Sequence, residues 1–209
     1  MFKVILKTAL KTLLIVAVIV LVAFGVASLG FPSAMAGLCE KSGNYSMATG
    51  YANLSYTYSK DVNDLNRCFT DSVYAKNDND IVKYGDKLIA DEKFAEVCES
   101  ITVIKVKIGD EEIEIPIDYN QYVCGRVSAA KYRKGNKDDA LDVAKTAMEG
   151  VQGFPQNNAL AVLSLQVIES NDKDTAEKLL DEIKTNHADT ESDYYTALVD
   201  ELDKVCGQE

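Results

Sequence analysis

Five cysteines, one histidine and a pair of aspartates are the residues in this 209-residue sequence with the chemistry to catalyse or to hold a metal. The cysteines, Cys39, Cys68, Cys98, Cys124 and Cys206, include no C-x-x-C pair, which argues against a thioredoxin-like redox site and against common zinc spacing. His187 falls near a predicted helix end, where a hydrogen-bonding or cationic side chain is ordinary. Asp78 and Asp80 in "KNDND" would suit calcium, but the glycine and distal glutamate of an EF-hand loop are missing, so a solvated helix start is expected. G-x-S-x-G, H-E-x-x-H and a phosphate-cradling glycine loop are all absent. The expectation is therefore no catalytic residue, no metal and no cofactor.

Charge narrows the partners. The first 38 residues hold three of the 22 lysines and arginines and no acidic residue, which leaves 19 basic against 33 acidic residues, a formal −14. Such a surface repels phosphate backbones and anionic lipid headgroups, because binding either needs clustered Lys or Arg to displace counterions, and nucleic acid is not expected as a partner.

The first segment sets the topology. Leu13 to Phe31 is uncharged over 19 residues. At about 1.5 Å per residue it reaches roughly 28 Å, close to the thickness of a hydrocarbon core. Lys3, Lys7 and Lys11 before it, against Lys41 after it, place residues 1–12 in the cytoplasm and the remainder outside. The alternative is a signal peptide ended by Pro32 and cleaved after Ala36, giving a secreted domain. Residues 32–43 read as a linker and 44–206 as the folded domain.

Apolar residues recur at three and four along the domain: Met47, Tyr51, Leu54 and Tyr58, then Val62, Leu65, Phe69 and Val73, then Ile81, Gly85, Leu88 and Ile89. These stripes predict amphipathic helices packed in pairs, about 44–75, 78–100, 119–151 and 157–186, with a closing helix over 191–205. Asp61, Asn136 and Thr190 stand at predicted N-caps. Repetition accompanies the periodicity: "NKDDAL" from Asn136 is echoed 36 residues later by "DKDTAE" from Asp172, with Ala140 and Ala176 at the same place.

One stretch interrupts the helices. In "KVKIGDEEIEIP" apolar and charged residues alternate around Gly109-Asp110, which predicts a β-hairpin over 102–117 with a two-residue turn. That register sets Val106 opposite Ile113, Ile104 opposite Ile115, Lys107 opposite Glu112 and Lys105 opposite Glu114. The apolar face must be covered, either by the helices beneath it, as a lid, or by another chain. Ile104, Val106, Ile108, Ile113 and Ile115 are accordingly the candidate partner-binding residues, with Tyr45 and Tyr56, which fall off the helical stripes. Cys98 and Cys124 bracket the hairpin and are expected to bridge its base. Cys39 with Cys68 is the second candidate disulfide. The alternative is that all are small buried hydrophobes.

"SAAKYRKGNKDDALDVAKTA", Ser128 to Ala147, resembles the tetratricopeptide family through Ser128, Tyr132, Gly135, Ala140 and Ala147. "LAVLSLQV" from Leu160 and "AEKLL" from Ala176 look like a second unit, although Cys124 and Leu160 stand where the family carries a large aromatic. The resemblance implies an all-α solenoid of helical hairpins, here with one inserted β-hairpin and a single preceding transmembrane helix. Together these features lead to a membrane-anchored, extracytoplasmic protein that binds or scaffolds other proteins without catalysis. The alternatives are an exported enzyme using a cysteine or carboxylate, and a structural ectodomain that oligomerises through Cys206.

Overall fold

The computed structural model describes residues 2–98, 101–108, 111–147, 157–186 and 193–207. Nearly all of them are helical, with one two-stranded antiparallel sheet. Helix α1, Phe2–Gly30, contains a stretch, Ala9–Gly30, long and apolar enough to cross a membrane, and none of that stretch is buried. It begins four residues before the predicted Leu13. As expected, α1 ends just before Pro32, which then opens α2, Pro32–Lys41, at a position where its missing N–H is no loss.

The predicted linker is therefore mostly helix, and it is packed. Met35, Ala36 and Cys39 are buried against α3, Tyr45–Ser59. Asn44 caps α3 by accepting from the Met47 amide at 3.2 Å. Helix α4, Val62–Tyr74, is capped by Asp61, whose carboxylate accepts from the Asn63 amide at 2.8 Å. Asn77 caps α5, Asp78–Ile89, through the amides of Asn79 and Asp80.

The expected second helix of the 78–100 pair is replaced by a 3-10 turn, Phe94–Val97. Asp91 accepts from the Lys93 amide at 2.9 Å and turns the chain there, leaving Phe94 to fill the core. Strands β1, Ile101–Ile108, and β2, Glu111–Asp118, pair in the predicted register, Val106 with Ile113 and Lys105 with Glu114. The predicted turn at Gly109-Asp110 lies outside the described residues.

Asp118 closes β2 and at once caps α6, Tyr119–Arg133, through the Gln121 amide at 2.8 Å. Then follow α7, Lys137–Lys145, α8, Asn158–Ser170, α9, Lys173–Asn186, and α10, Asp193–Cys206. Asn136 precedes α7 but makes no capping bond from its side chain, and Thr190 lies outside the described residues.

Consecutive helices from α2 to α7 pack on one another, and α8 lies against α6, α7, α9 and α10. Two apolar clusters result, one among α2 to α5 and one among α7 to α10 with the hairpin. Helix α6 serves both: Val123, Val127 and Ala130 face the first, Cys124, Ala129 and Tyr132 the second. Two glycines permit close approach to α6. A Cβ on Gly85 of α5 would lie 2.1 Å from Val127 Cγ2, and one on Gly125 of α6 would lie 2.8 Å from Val162 Cβ and 3.3 Å from Ala159 Cα.

The stripes predicted for α4 and α5 are core: Val62, Leu65, Phe69, Ile81 and Leu88 are buried. The stripe predicted for α3 is so only at half-buried Tyr51, which packs on the first cluster. Its buried face is the small set Ala48, Thr49, Ala52 and Ser55, while Met47 and Tyr58 stand exposed.

Candidate partner-binding groove

The N-terminus of α8 holds the hairpin in place. Asn157 is its N-cap: Oδ1 accepts from the Ala159 and Leu160 amides while Nδ2 donates to the Ala144 carbonyl of α7 at 2.7 Å. Asn158, fully buried, donates from Nδ2 to the Pro116 carbonyl of β2 at 2.7 Å and from its amide to Gln121 Oε1 of α6 at 3.2 Å. Helix α10 completes the junction, since Tyr194 donates its hydroxyl to Asn158 Oδ1 and Tyr195 to the Asn157 carbonyl. Buried polar groups need partners, and this network satisfies them while joining five elements at one point. Paired asparagines before an apolar helix are an N-cap signal that sequence reasoning passed over.

So held, the hairpin turns its apolar face inward. Ile104, Ile108 and Ile115 are buried with Ile117, and Ile113 is half-buried against the same cluster. Those residues are thus a lid on the helices and not an open docking face, because an unpartnered two-stranded sheet has to cover that side with its own core. The Val106 side chain lies outside the described ones. Lys105 Nζ meets Glu114 Oε1 at 3.1 Å on the solvent side. Tyr45 stacks on Tyr74 with ring centroids 4.9 Å apart, and Tyr56 lies half-buried beneath Lys60, 5.4 Å from the ring. The structure does not bring these tyrosines together with the hairpin into one site.

The lid leaves a groove at its margin. Lys107 and Ile108 of β1, Leu165, Gln166, Ile168 and Glu169 of α8, and Glu201 of α10 line a depression of about 540 Å³. Ile108, Leu165 and Ile168 are its apolar lining. The rim is organised by hydrogen bonds: Asp78 grips Arg133, whose Nη1 donates to Gln166 Oε1, and Gln166 Nε2 donates to Glu169 Oε2 at 3.2 Å. Lys204 is held to Glu201 at 2.7 Å. Three apolar side chains beside one lysine and two glutamates offer burial for side chains and pairing for their flanks, the chemistry of peptide recognition.

Neither expected disulfide forms. Cys98, Cys124, Cys39 and Cys68, like Cys206, carry free thiols, and all five are buried. Cys124 Sγ donates instead to Asn120 Oδ1 within its own helix at 3.6 Å, and the others pack as small hydrophobes. Burial pushes the Cys68 and Cys124 thiols up to about 12 and Cys98 up to about 11, so the nucleophilic thiolate is suppressed. Asp78 pairs with Arg133 at 2.6 Å and Asp80 accepts from Asn77 at 2.7 Å at the start of α5. Among the described residues no group of three or more His, Cys, Asp or Glu is placed to hold a metal ion. His187 lies outside the described residues.

One buried carboxyl was not legible in the sequence. Asp71 of α4 is nearly inaccessible, its Oδ2 lacks a donor, and burial followed by the neighbouring charge of Glu40 pushes it up to about 7, against relief from Arg67. Arg67 in turn donates from Nε to Glu40 and from Nη1 to the Ser33 carbonyl at 2.9 Å, fastening α2 to α4. Comparison with known proteins finds no family model, no curated protein and no solved structure that matches this chain.

Proposed function

We propose that this chain is a membrane-anchored protein whose acidic helical-repeat domain, carried outside the cytoplasm, holds another protein and performs no catalysis of its own. The observation that carries the reading is the groove between β1, α8 and α10, lined by Ile108, Leu165 and Ile168 together with hydrogen-bonded polar side chains. Ala9–Gly30 supports the anchor, and Lys3, Lys7 and Lys11 support a cytoplasmic N-terminus. Removal after Ala36 fits less well, because Ala36 is fully buried inside α2. The neighbour-to-neighbour packing of helices and the complete burial of Ala140 and Ala176, at equivalent points of the echoed segments, support a tetratricopeptide-like solenoid.

The enzyme alternative loses its cysteine nucleophile to burial, and oligomerisation through Cys206 meets the same obstacle, since that thiol is 4% exposed. Co-purification from solubilised membranes tests the proposal. The wild-type chain should repeatedly recover a protein that Leu165→Glu, at the groove, does not. Equal recovery by both would remove the groove from the function, and recovery of nothing by the wild type would count against the binding role.

A further inference from the structure

Helix α3 is built inside out. Its small and hydroxyl residues face the protein, where Ser55 and Ser59 donate to Asp64 Oδ2 at 2.9 and 2.6 Å, while its large residues Met47, Tyr51, Leu54 and Tyr58 form a neighbouring stripe at helical spacing, of which half-buried Tyr51 borders the core and Met47 and Tyr58 are exposed. Met47 is 47% and Tyr58 64% exposed, and Met47, Gly50, Tyr51, Asn53 and Leu54 frame a shallow apolar depression. In a chain that is 26% charged, residues 42 to 59 carry no charge at all, and the residues flanking that run are Lys41 and Lys60.

Position supplies the occupant. Ser28 Oγ of α1 and the Tyr51 hydroxyl are hydrogen-bonded at 3.1 Å. Ser28 lies within Ala9–Gly30, two residues from its end. At about 1.5 Å per residue, Tyr51 therefore reaches the level of the last turn of the membrane segment, where headgroups begin. Tyrosines with an apolar body and a polar tip are the side chains that settle at that depth, and lysines at both ends complement lipid phosphates. Beyond α1, six large apolar side chains stand exposed among the described residues, and five of them, Phe31, Leu38, Met47, Tyr58 and Tyr74, fall in this membrane-proximal part of the chain.

We propose that α3 lies in the interfacial layer of the bilayer that α1 crosses, with Met47, Leu54 and Tyr58 turned to lipid and Tyr51 bridging to α1. The inference rests on the reading of α1 as a membrane span, and its test separates the two. The sequence contains no tryptophan, so single tryptophans report unambiguously. Met47→Trp, Tyr58→Trp, Val20→Trp in the span and Lys87→Trp on exposed α5 are each placed in the full chain, reconstituted in phosphatidylcholine vesicles and titrated with lipids brominated near the headgroup or deep in the chain. Val20→Trp should be quenched most by deep bromines. Met47→Trp and Tyr58→Trp should lose about half their emission or more to shallow bromines, with Lys87→Trp unaffected. Quenching at Val20 with Met47 and Tyr58 as silent as Lys87 overturns the interfacial placement and leaves the face to a protein neighbour or to water. No quenching at Val20 overturns the membrane span and the placement with it.

Discussion

Asn158 Nδ2 donates to the Pro116 carbonyl at 2.7 Å, a bond across 42 residues of sequence that fastens strand β2 to the start of helix α8. It decides how the hairpin is used. With its outer margin tied to a fully buried asparagine, the hairpin can only fold inward as a lid, and the partner-facing surface moves to the groove beside it.

Replacing Asn158 by alanine takes the side-chain donor from the Pro116 carbonyl and removes the Asn158 partner of Tyr194 in a buried junction. Losing a buried partner of this kind costs about 1–3 kcal/mol, so Asn158→Ala should lower the denaturation midpoint clearly, whereas Asn79→Ala at the exposed start of α5 should leave it nearly unchanged. Urea titration of the two variants distinguishes them.

Gly125→Ala should loosen the contact of α6 with α8. The added carbon meets the Ala159 backbone at 3.3 Å as well as Val162, so the helices must separate, at a cost of about 1–3 kcal/mol. Gly50→Ala, whose Cβ meets nothing within 4 Å, should be neutral or slightly stabilising. Thermal melts of both variants check the contrast.

Asp71 should make stability fall as pH rises. Its folded value is raised from 3.8 to about 7, so between those values the folded state holds a proton that the unfolded chain has lost. The contribution is intact below about pH 4 and disappears by about pH 7. Around Asp71 the charged neighbours are Glu40 on α2 and Arg67 on α4. Asp71→Asn should therefore raise the melting temperature at pH 8 by several degrees, roughly 4 °C or more, and change little at pH 4. A benefit confined to low pH would contradict the placement of this carboxyl.

Five buried free thiols predict a specific labelling pattern. A maleimide added to the folded protein should modify none of the cysteines within minutes, and all five should react after denaturation without reductant. Recovery of only three or one reactive thiol under those conditions would reveal a disulfide.

Periodicity and turn chemistry made much of this fold readable. The alternation from Lys105 to Pro116 determined the hairpin and its register, since a one-residue slip would turn Ile104 and Ile115 outward. The stripes of α4 and α5 likewise named their buried residues. What failed was context. The α3 stripe has the spacing of a core face, yet spacing says only which residues share a side, not what medium lies on that side, and the small residues beside it were the better guide to packing. The cysteine pairs failed because a bracket in sequence does not fix Cβ directions. Asp71 and Asn158 escaped notice because partners such as Glu40 and Pro116 are brought to them only by tertiary packing.

Site-specific photocrosslinking in intact membranes tests the binding claim most directly. A photoreactive residue at Leu165, on the groove's apolar lining, should capture one discrete protein reproducibly, through an extended segment identifiable by mass spectrometry. The same residue at Lys178, exposed on α9 and paired with Asp138, should capture nothing discrete. Equal or absent capture at both positions would contradict a partner held in the groove.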